Sequence, residues 1–306
     1  MALGTALPAR TDLGRSGKRP RYHPLDQITL AYVTASIVIL LIGGARIPHQ
    51  STELLLHGLL LLALGLIGWL PSPRHPLLRF LREAYPLLLL GWFYRETAIL
   101  SRAWGDQYHD PMILDWDHAL FGGHPHVWLH HVFPAAWLSE LLHACYLLYI
   151  LMVPGLTLTL YFGGRLQAFR VTATTIVFTF LVCYLGFVLL PVKGPWYTFA
   201  HPEVRSFGIF PPLVWGMLER GAAVGAAFPS SHVAASTAVA MMARRAGSPL
   251  AWVMISLAVG IFFATVYGGF HYGVDAVAGL VAGLTLGALG PRVHLALSRD
   301  GGPDSA

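Results

Sequence analysis

Long apolar runs are the feature that most constrains this chain. A helix needs about 20 predominantly apolar residues to cross the hydrocarbon core of a bilayer, and most of the runs approach that length. Eight such segments occur, at roughly 28–45, 52–70, 85–101, 137–162, 171–191, 230–243, 249–268 and 272–290. The shortest is 230–243, and 85–101 contains Arg95 and Glu96. The sequence therefore predicts an all-α, polytopic membrane bundle of about eight spans.

The composition supports a membrane protein and excludes an ordinary soluble domain. Charged residues make up 11% of the chain and apolar residues 55%, whereas soluble domains carry about 25% charged residues. The two cysteines, Cys145 and Cys183, both lie inside apolar runs. They suggest neither a disulfide scaffold nor a zinc motif.

The basic residues predict the orientation of the bundle. If the chain crosses eight times, 14 of the 20 Lys and Arg residues fall on the side of the N-terminus. Cytoplasmic loops are enriched in Lys and Arg, so we expect both termini in the cytoplasm. This distribution also explains the net charge of +5 without nucleic acid as a partner. The long connections 102–136 and 192–229 then lie on the outer side, with the start of the last segment, and function should concentrate there.

A histidine and an aspartate stand near the start of the last apolar segment, in the stretch ATVYGGFHYGVDAVAG at 264–279. His271 and Asp275 are four residues apart, so a helix would place both on one face. The carboxylate could accept a proton from one imidazole nitrogen and leave the other as a nucleophile. Ionisable residues within membrane segments are costly, so each one suggests a functional site. The alternative is a satisfied polar pair at a helix end.

A second polar cluster opens the segment at 230–243, in the stretch AAFPSSHVAAS at 226–236. Serine is a good N-cap, and the N-terminus of a helix offers free amide groups and a positive dipole end that suit phosphate. His232, in the first turn, could protonate a leaving oxygen. The alternative is a capped helix with an incidental histidine.

A lone lysine follows the fifth segment, in LLPVKGPWYTFAHP at 189–202. Lys193 is the only lysine besides Lys18, and it stands on the outer side, against the trend of the other basic residues. Two roles of Lys193 remain possible: its ammonium group contacts a phosphate, or its side chain extends to the membrane interface. Trp196 and Tyr197 suit interfacial anchoring better than catalysis.

These three stretches, in this order, resemble the type 2 phosphatidic acid phosphatase superfamily of lipid phosphatases and phosphotransferases. Its pattern is K-x6-R-P, then P-S-G-H, then S-R-x5-H-x3-D. PSSH matches the second element with Ser231 in place of glycine, and the third is matched at His271 and Asp275. Ala264 and Thr265 stand where the family has Ser-Arg, and only Lys193 remains of the first element.

The resemblance implies a fold and a mechanism. A six-helix catalytic membrane domain would span 85–291, after a disordered basic tail at 1–26 and two N-terminal helices within 27–84, with a C-terminal cytoplasmic tail at 292–306. His271 would attack a lipid phosphate and form a phosphohistidine, Asp275 would orient it, and His232 would protonate the departing alcohol and then deprotonate the acceptor. Phosphate oxygens would be held by Lys193, Ser230, Ser231 and nearby amide groups. The scheme needs no metal and no cofactor.

The third motif lacks the family's arginine and has ATVY before HY-x-x-D. In both respects it resembles the motif of the branch that contains inositol phosphorylceramide synthases. The stretch DWDHALFGGHPHVWLHH at 115–131 is similar to a region of that branch. A phosphodiester carries one negative charge fewer than a phosphomonoester, so the loss of a cation favours transfer of a phosphorylated headgroup. Alternatively, Arg95, Arg102 or Arg205 replaces the missing charge.

The histidine-rich connection at 108–131 has several potential metal ligands, namely His109, Asp115, Asp117, His118, His124, His126, His130 and His131. Their spacing matches no closed metal site. Interleaved apolar residues instead predict amphipathic helices at the membrane interface, which would cap the entrance of the active site and help to select the headgroup.

Three functions remain open at this point. The first is a lipid phosphotransferase of the plasma membrane, with its active site on the extracytoplasmic side, a phospholipid donor and a lipid alcohol as acceptor. The second is a lipid phosphate or polyprenyl diphosphate phosphatase that uses water. The third is a transporter or scaffold without catalysis, although transporters usually place ionisable groups at the midplane of the membrane.

Overall fold

The structure is a computed structural model that describes residues 22–70, 73–199 and 208–299. Most of the predicted N-terminal tail, the end of the C-terminal tail and Arg205 lie outside the described residues. The described part of the chain contains no β-strand beyond one isolated bridge between Val192 and Ala226. The predicted all-α class is confirmed. The helices are α1 (Pro24–Gly43), α2 (Gln50–Ile67), α3 (Pro76–Leu100), α4 (Asp110–Phe121), α5 (Pro125–Val132), α6 (Ala136–Phe162), α7 (Leu166–Leu189), α8 (Pro195–Thr198), α9 (Phe210–Gly221), α10 (Ser231–Arg245), α11 (Ala251–Tyr267) and α12 (Gly273–Arg299).

Each of the eight predicted apolar segments coincides with one helix, namely α1, α2, α3, α6, α7, α10, α11 and α12. Among the described residues, five helical stretches are long and apolar enough to span a membrane: Pro24–Arg46, Gln50–Ile67, Ala136–Phe162, Leu166–Leu189 and Gly273–Ser298. The other three predicted spans do not meet those criteria, because α10 and α11 are short and α3 carries several charges. The helix α12 continues to Arg299, past residue 291, after which the C-terminal tail was predicted to begin.

Three charged residues of α3 have partners on neighbouring helices. Arg82 donates to Asp26 at the start of α1, with an Nη2–Oδ2 distance of 2.6 Å. Glu83 pairs with Arg170 at the start of α7. Towards the other end of α3, the Oε1 atom of Glu96 lies 2.5 Å from Nε2 of His57 on α2, and both side chains are buried. Arg82, Glu83 and Glu96 have partners inside the bundle, whereas Arg79 and Arg95 are exposed. The helix α3 can therefore pack there despite its modest hydropathy.

The helix α7 lies at the centre of the bundle, against α1, α3, α6, α10 and α12. Over an apolar stretch of 18 residues within α7, 78% of the residues are buried inside the protein. Its buried residues include branched and aromatic side chains such as Ile176 and Phe187. A helix that is apolar on all sides is expected in such a central position.

A row of glycines brings α12 into close contact with α10. Gly279, Gly283 and Gly287 are spaced four residues apart on one face of α12. A Cβ atom added at Gly279 would lie 2.5 Å from the carbonyl oxygen of Ser230, and one added at Gly283 would lie 2.6 Å from that of Ala234. Only glycine permits such an approach of two helix backbones. The approach sets the N-terminal ends of α10 and α12 side by side.

Candidate active site

The two histidines singled out in the sequence converge at the end of the bundle where α10 and α12 begin. His232 is the second residue of α10, and His271 lies in the loop between α11 and α12. Their ring centroids are 5.7 Å apart. Both side chains line one cavity of about 40 Å³, together with Lys193. The structure therefore brings together three predicted residues that come from three separate stretches of the chain.

Asp275 lies beside His271 because the start of α12 holds it there. It is the third residue of the helix, and its Oδ2 atom accepts a hydrogen bond of 2.9 Å from the backbone N–H of Tyr272. This is the return contact of a capping box. The same oxygen lies 3.5 Å from Nδ1 of His271, which is longer than a normal hydrogen bond. Both side chains are buried.

The environment of His271 favours the neutral imidazole. Burial lowers the pKa of His271 to about 4, although a hydrogen bond with the backbone of Ala227 acts in the opposite direction. An imidazolium that is buried loses its contacts with water, so burial favours the neutral imidazole. The ring therefore keeps a free lone pair at neutral pH, as a nucleophile requires.

Two tyrosines of α6 fix the ring of His232. The hydroxyl of Tyr146 lies 3.2 Å from Nε2 of His232. The Tyr146 ring stacks on the imidazole at a centroid distance of 5.0 Å, and the Tyr149 ring lies 4.7 Å away on the same measure. Neither tyrosine was singled out in the sequence, because nothing in an apolar helix shows which residue of a distant helix it will face.

The two serines occupy different places from those expected for a pair of phosphate ligands. Ser230 is the buried N-cap of α10, and its hydroxyl accepts a hydrogen bond of 3.4 Å from the backbone N–H of Val233. Its own backbone N–H donates to the carbonyl oxygen of Asp275 at 3.1 Å, which joins the starts of α10 and α12. Ser231 lines a neighbouring cavity. Neither serine is among the described residues that line the cavity around His271, and their role in phosphate binding stays a prediction.

Lys193 is exposed, and its ammonium group lies 4.5 Å from the centroid of the Tyr108 ring. The backbone around it is held by Asp110, the first residue of α4. Asp110 accepts hydrogen bonds from the backbone N–H groups of Lys193 and Gly194, at 3.0 and 2.9 Å. The same carboxylate accepts a third bond of 3.0 Å from the hydroxyl of Tyr272. Asp110 therefore joins the lysine loop to the loop that carries His271.

A second acid on α4 supports the start of α12. The Oδ1 atom of the buried Asp117 accepts a hydrogen bond of 2.7 Å from the backbone N–H of Val274. An acid at this place satisfies one of the free amides of the first helical turn and suits the helix dipole. Asp117 was considered in the sequence only as a potential metal ligand, and Asp110 was not considered. The Asp-Pro pair at the start of a predicted helix was the available signal for Asp110.

The histidine-rich connection forms the two short helices α4 and α5, as the interleaved apolar residues predicted. Within the described ranges, no group of three or more His, Cys, Asp or Glu side chains has an arrangement that could hold a metal ion. The Nδ1 atom of His126 lies 3.8 Å from Oδ2 of Asp117. On α5, burial lowers the pKa of His130 to about 4. The function of these helices as a cap stays a prediction.

The arginines that could replace the missing motif arginine lie elsewhere or outside the described residues. Arg95 is exposed on α3, and Arg102 pairs with Asp106. Neither lines the cavity, and Arg205 is not among the described residues. Among the described residues that line the cavity, Lys193 is the only lysine or arginine.

Comparisons with known proteins show the family of this chain. A family model described as the PAP2 superfamily matches residues 111–289, which is more than half of the chain. The matched range contains Lys193, His232, His271 and Asp275. A search of the curated proteins and a search of the solved structures each found no match. The chain, an integral membrane protein of bundled helices, therefore belongs to the PAP2 superfamily, whose members are generally phosphatases and phosphotransferases.

Proposed function

We propose that the protein is a membrane phosphotransferase that moves a phosphorylated headgroup, phosphoinositol-like, from a phospholipid to the hydroxyl group of a second lipid. The observation that supports this most directly is the cavity shared by His232, His271 and Lys193. Two imidazoles and a cation around one small space are the groups that covalent phosphoryl transfer needs.

In the first half-reaction, Nε2 of His271 attacks the phosphorus of the donor. This nitrogen is the one that points away from Asp275, since Nδ1 is the atom 3.5 Å from the carboxylate. A P–N bond forms while the bond from phosphorus to the diacylglycerol oxygen breaks. His232 enters this step as an imidazolium, donates its proton to that oxygen and becomes neutral, and diacylglycerol leaves. Lys193 stabilises the charge of the non-bridging oxygens.

In the second half-reaction, the hydroxyl of the acceptor lipid attacks the phosphohistidine. His232 takes the proton of that hydroxyl, the P–N bond breaks, and His271 returns to its neutral form. The product is the acceptor lipid with the headgroup of the donor. The same site serves both halves, because the acceptor oxygen enters where the first oxygen left.

The charge of the cavity favours a diester over a monoester as the donor. Among its described lining residues Lys193 is the only lysine or arginine, and a phosphodiester needs less positive charge around it than a phosphomonoester does. The resemblance of the third motif to the inositol phosphorylceramide synthase branch supports the same choice. We further propose that the site faces the extracytoplasmic side of the plasma membrane, with both termini cytoplasmic.

A second candidate function is hydrolysis of lipid phosphates or diphosphates. Lys193 is exposed, so water can reach the mouth of the cavity and take the place of the acceptor alcohol. The chemistry at the histidines would be unchanged, and only the acceptor would differ.

The test uses the purified full-length protein in detergent and phosphatidylinositol labelled with ³²P. The acceptor is ceramide, or a diacylglycerol whose acyl chains differ from those of the donor so that the product can be told from the donor. Transfer predicts a new labelled lipid that forms only with the acceptor, whereas hydrolysis predicts water-soluble label with or without it. An acid-labile, base-stable phosphoenzyme should form in the wild type and be absent from His271→Ala. The His232→Ala variant should lose about 10²–10⁴-fold in rate. As a control, His131→Ala removes an exposed histidine of α5 and should behave like the wild type. Equal product from the wild type and His271→Ala would refute both enzymatic functions and leave a transporter or scaffold.

A further inference from the structure

A second, larger cavity of about 330 Å³ lies next to the active site. Its walls come from α3, α6, α7, α9 and the start of α10, and most of its lining is apolar or aromatic. The residues that face it without lining the first cavity include Leu90, Gly91, Tyr149, Ile150, Phe180 and Tyr184. We call it the chain cavity.

The chain cavity and the active-site cavity meet at His232. Five residues line both of them, namely Tyr94, Tyr146, Leu218, Ala222 and His232. His271 and Lys193 line only the active-site cavity. The general acid–base of the proposed mechanism therefore stands on the boundary, with the nucleophile and the cation on one side of it and apolar walls on the other.

The geometry of in-line displacement assigns an occupant to the apolar side. The attacking nitrogen and the leaving oxygen lie on opposite sides of the phosphorus. The leaving oxygen must lie within reach of His232, which protonates it, so the group attached to that oxygen extends past His232 and away from His271. In the second half-reaction the acceptor oxygen, with its own substituent, enters the same position.

We propose that the chain cavity binds the hydrocarbon part of the lipid alcohol whose oxygen His232 serves, first the diacylglycerol of the donor and then the acceptor lipid. The inference rests on the proposed function of the site. A hydrated headgroup would lose water contacts against such walls, whereas a hydrocarbon chain would gain apolar burial. The headgroup would stay on the side of Lys193.

One wall of the chain cavity lies outside the family match. Leu90, Gly91 and Tyr94 belong to α3, whereas the match covers residues 111–289. Gly91 is exposed and lines this wall. A Cβ atom added there would meet no other atom within 4 Å, so a side chain can begin at this position in open space.

The test compares Gly91→Phe with Gly58→Phe in the full-length protein. Gly58 lies on α2, and a Cβ atom added there also meets nothing within 4 Å, but it lines neither cavity. The measured quantity is the ratio of kcat/KM for a dipalmitoyl acceptor to that for a dihexanoyl acceptor. Gly91→Phe should lower this ratio by about tenfold or more, and Gly58→Phe should leave it as in the wild type. An unchanged ratio in Gly91→Phe, or an equal change in both variants, would overturn the proposal.

A binding measurement separates this proposal from the proposed function. A long-chain diacylglycerol with a photoreactive diazirine in its chain should label the α3 and α6 peptides around Leu90 and Tyr149 in the wild type and in Gly58→Phe. Excess unlabelled diacylglycerol should prevent the labelling, and Gly91→Phe should weaken it. Labelling without any turnover would refute the transferase and keep the chain cavity. Turnover with no competed labelling of these peptides would refute the chain cavity alone.

Discussion

The carboxylate of Asp110 holds two loops that are far apart in the chain. It accepts hydrogen bonds from the amides of Lys193 and Gly194 and from the hydroxyl of Tyr272. One carboxylate therefore fixes the loop that carries the proposed cation relative to the loop that carries the proposed nucleophile. The sequence predicted Lys193 and His271 because they belong to motifs. The Asp-Pro pair could mark Asp110 as the start of a helix, but it could not show these contacts, because the partners lie 83 and 162 positions away.

The change Asp110→Asn should weaken this anchor. An amide has one acceptor oxygen instead of two, so its NH₂ group would face an N–H donor. Loss of a buried hydrogen bond costs about 1–3 kcal/mol, and we expect kcat/KM to fall by about tenfold to a hundredfold. The measurement is steady-state turnover of the labelled donor. Asp115→Asn, an exposed acid on the same helix, should retain full activity, and equal losses in the two variants would contradict the anchoring role.

The burial of His271 predicts the pH at which activity is lost in acid. Its pKa is lowered to about 4, so the nucleophilic ring stays neutral between pH 7 and about 4 and is protonated only below that. The acid limb of kcat/KM should therefore lie near pH 4 rather than near 6.5, the value of an unperturbed histidine. A pH profile measures it, with a phosphodiester donor whose negative charge does not change over the range. Half-maximal loss at pH 6.5 or above would show that the ring is not desolvated as described.

At the scale of secondary-structure elements, the contact between α10 and α12 determines how close the two histidines lie. The row of Gly279, Gly283 and Gly287 on one face of α12 was not among the features predicted from the sequence. The sequence did not show which helix that face would meet, because small residues carry no preference for a partner. The structure places the row against the backbone of α10.

The change Gly283→Ala should separate these helices. The new Cβ atom would lie 2.6 Å from the carbonyl oxygen of Ala234, and a backbone atom cannot move aside as a side chain can. We expect a loss of about 1–3 kcal/mol in stability and at least about tenfold slower phosphoenzyme formation, since small misplacements of reacting groups are costly. Thermal unfolding in detergent and single-turnover labelling measure the two effects. Gly58→Ala, where the new atom meets nothing, is the matched control. Wild-type values for Gly283→Ala would contradict the close packing.

At the scale of the whole molecule, the two ends of the helical bundle differ in function. The starts of α10 and α12 carry the proposed chemistry, whereas the opposite end holds the ion pairs Asp26–Arg82 and Glu83–Arg170, which join α1, α3 and α7. The hydroxyl of Tyr85 also donates to Asp26 at 2.7 Å. These contacts are structural, and they lie a membrane-spanning helix away from His271.

The change Glu83→Gln should therefore affect stability without affecting chemistry. Glu83 is 7% exposed and Arg170 is 26% exposed, so partial solvation of Arg170 limits the cost to about 1–3 kcal/mol. We expect a lower Tm with kcat/KM per folded molecule unchanged. Asp106→Asn, which breaks the exposed Arg102–Asp106 pair, should leave Tm nearly as it was. A loss of kcat/KM in Glu83→Gln beyond the loss of folded protein would mean that the two ends are coupled.

The parts of the molecule that could be predicted from the sequence are those set by local pattern. The apolar runs predicted eight helical segments, and each coincides with a helix. The motif residues His232, His271 and Lys193 were identified in advance, and they line one cavity. The bounds of α3 and its ability to pack were harder to predict, because Arg82, Glu83 and Glu96 are compensated by residues of α1, α2 and α7. Such compensation depends on tertiary contacts, which no window of the sequence contains.

The bonds from Asp110 to the amides of Lys193 and Gly194 have a consequence for how such proteins can diverge. These bonds address the main chain, and every amino acid except proline carries the same amide. The amide bonds alone therefore do not restrict the side chain at position 193, and the need for a cation there comes from the proposed chemistry. Gly194 is restricted for a different reason, because its φ is +92° and an added Cβ atom would lie 3.1 Å from the carbonyl oxygen of Phe270. The path of the loop and the charge that it carries are thus fixed by separate contacts, so one can change in evolution without the other.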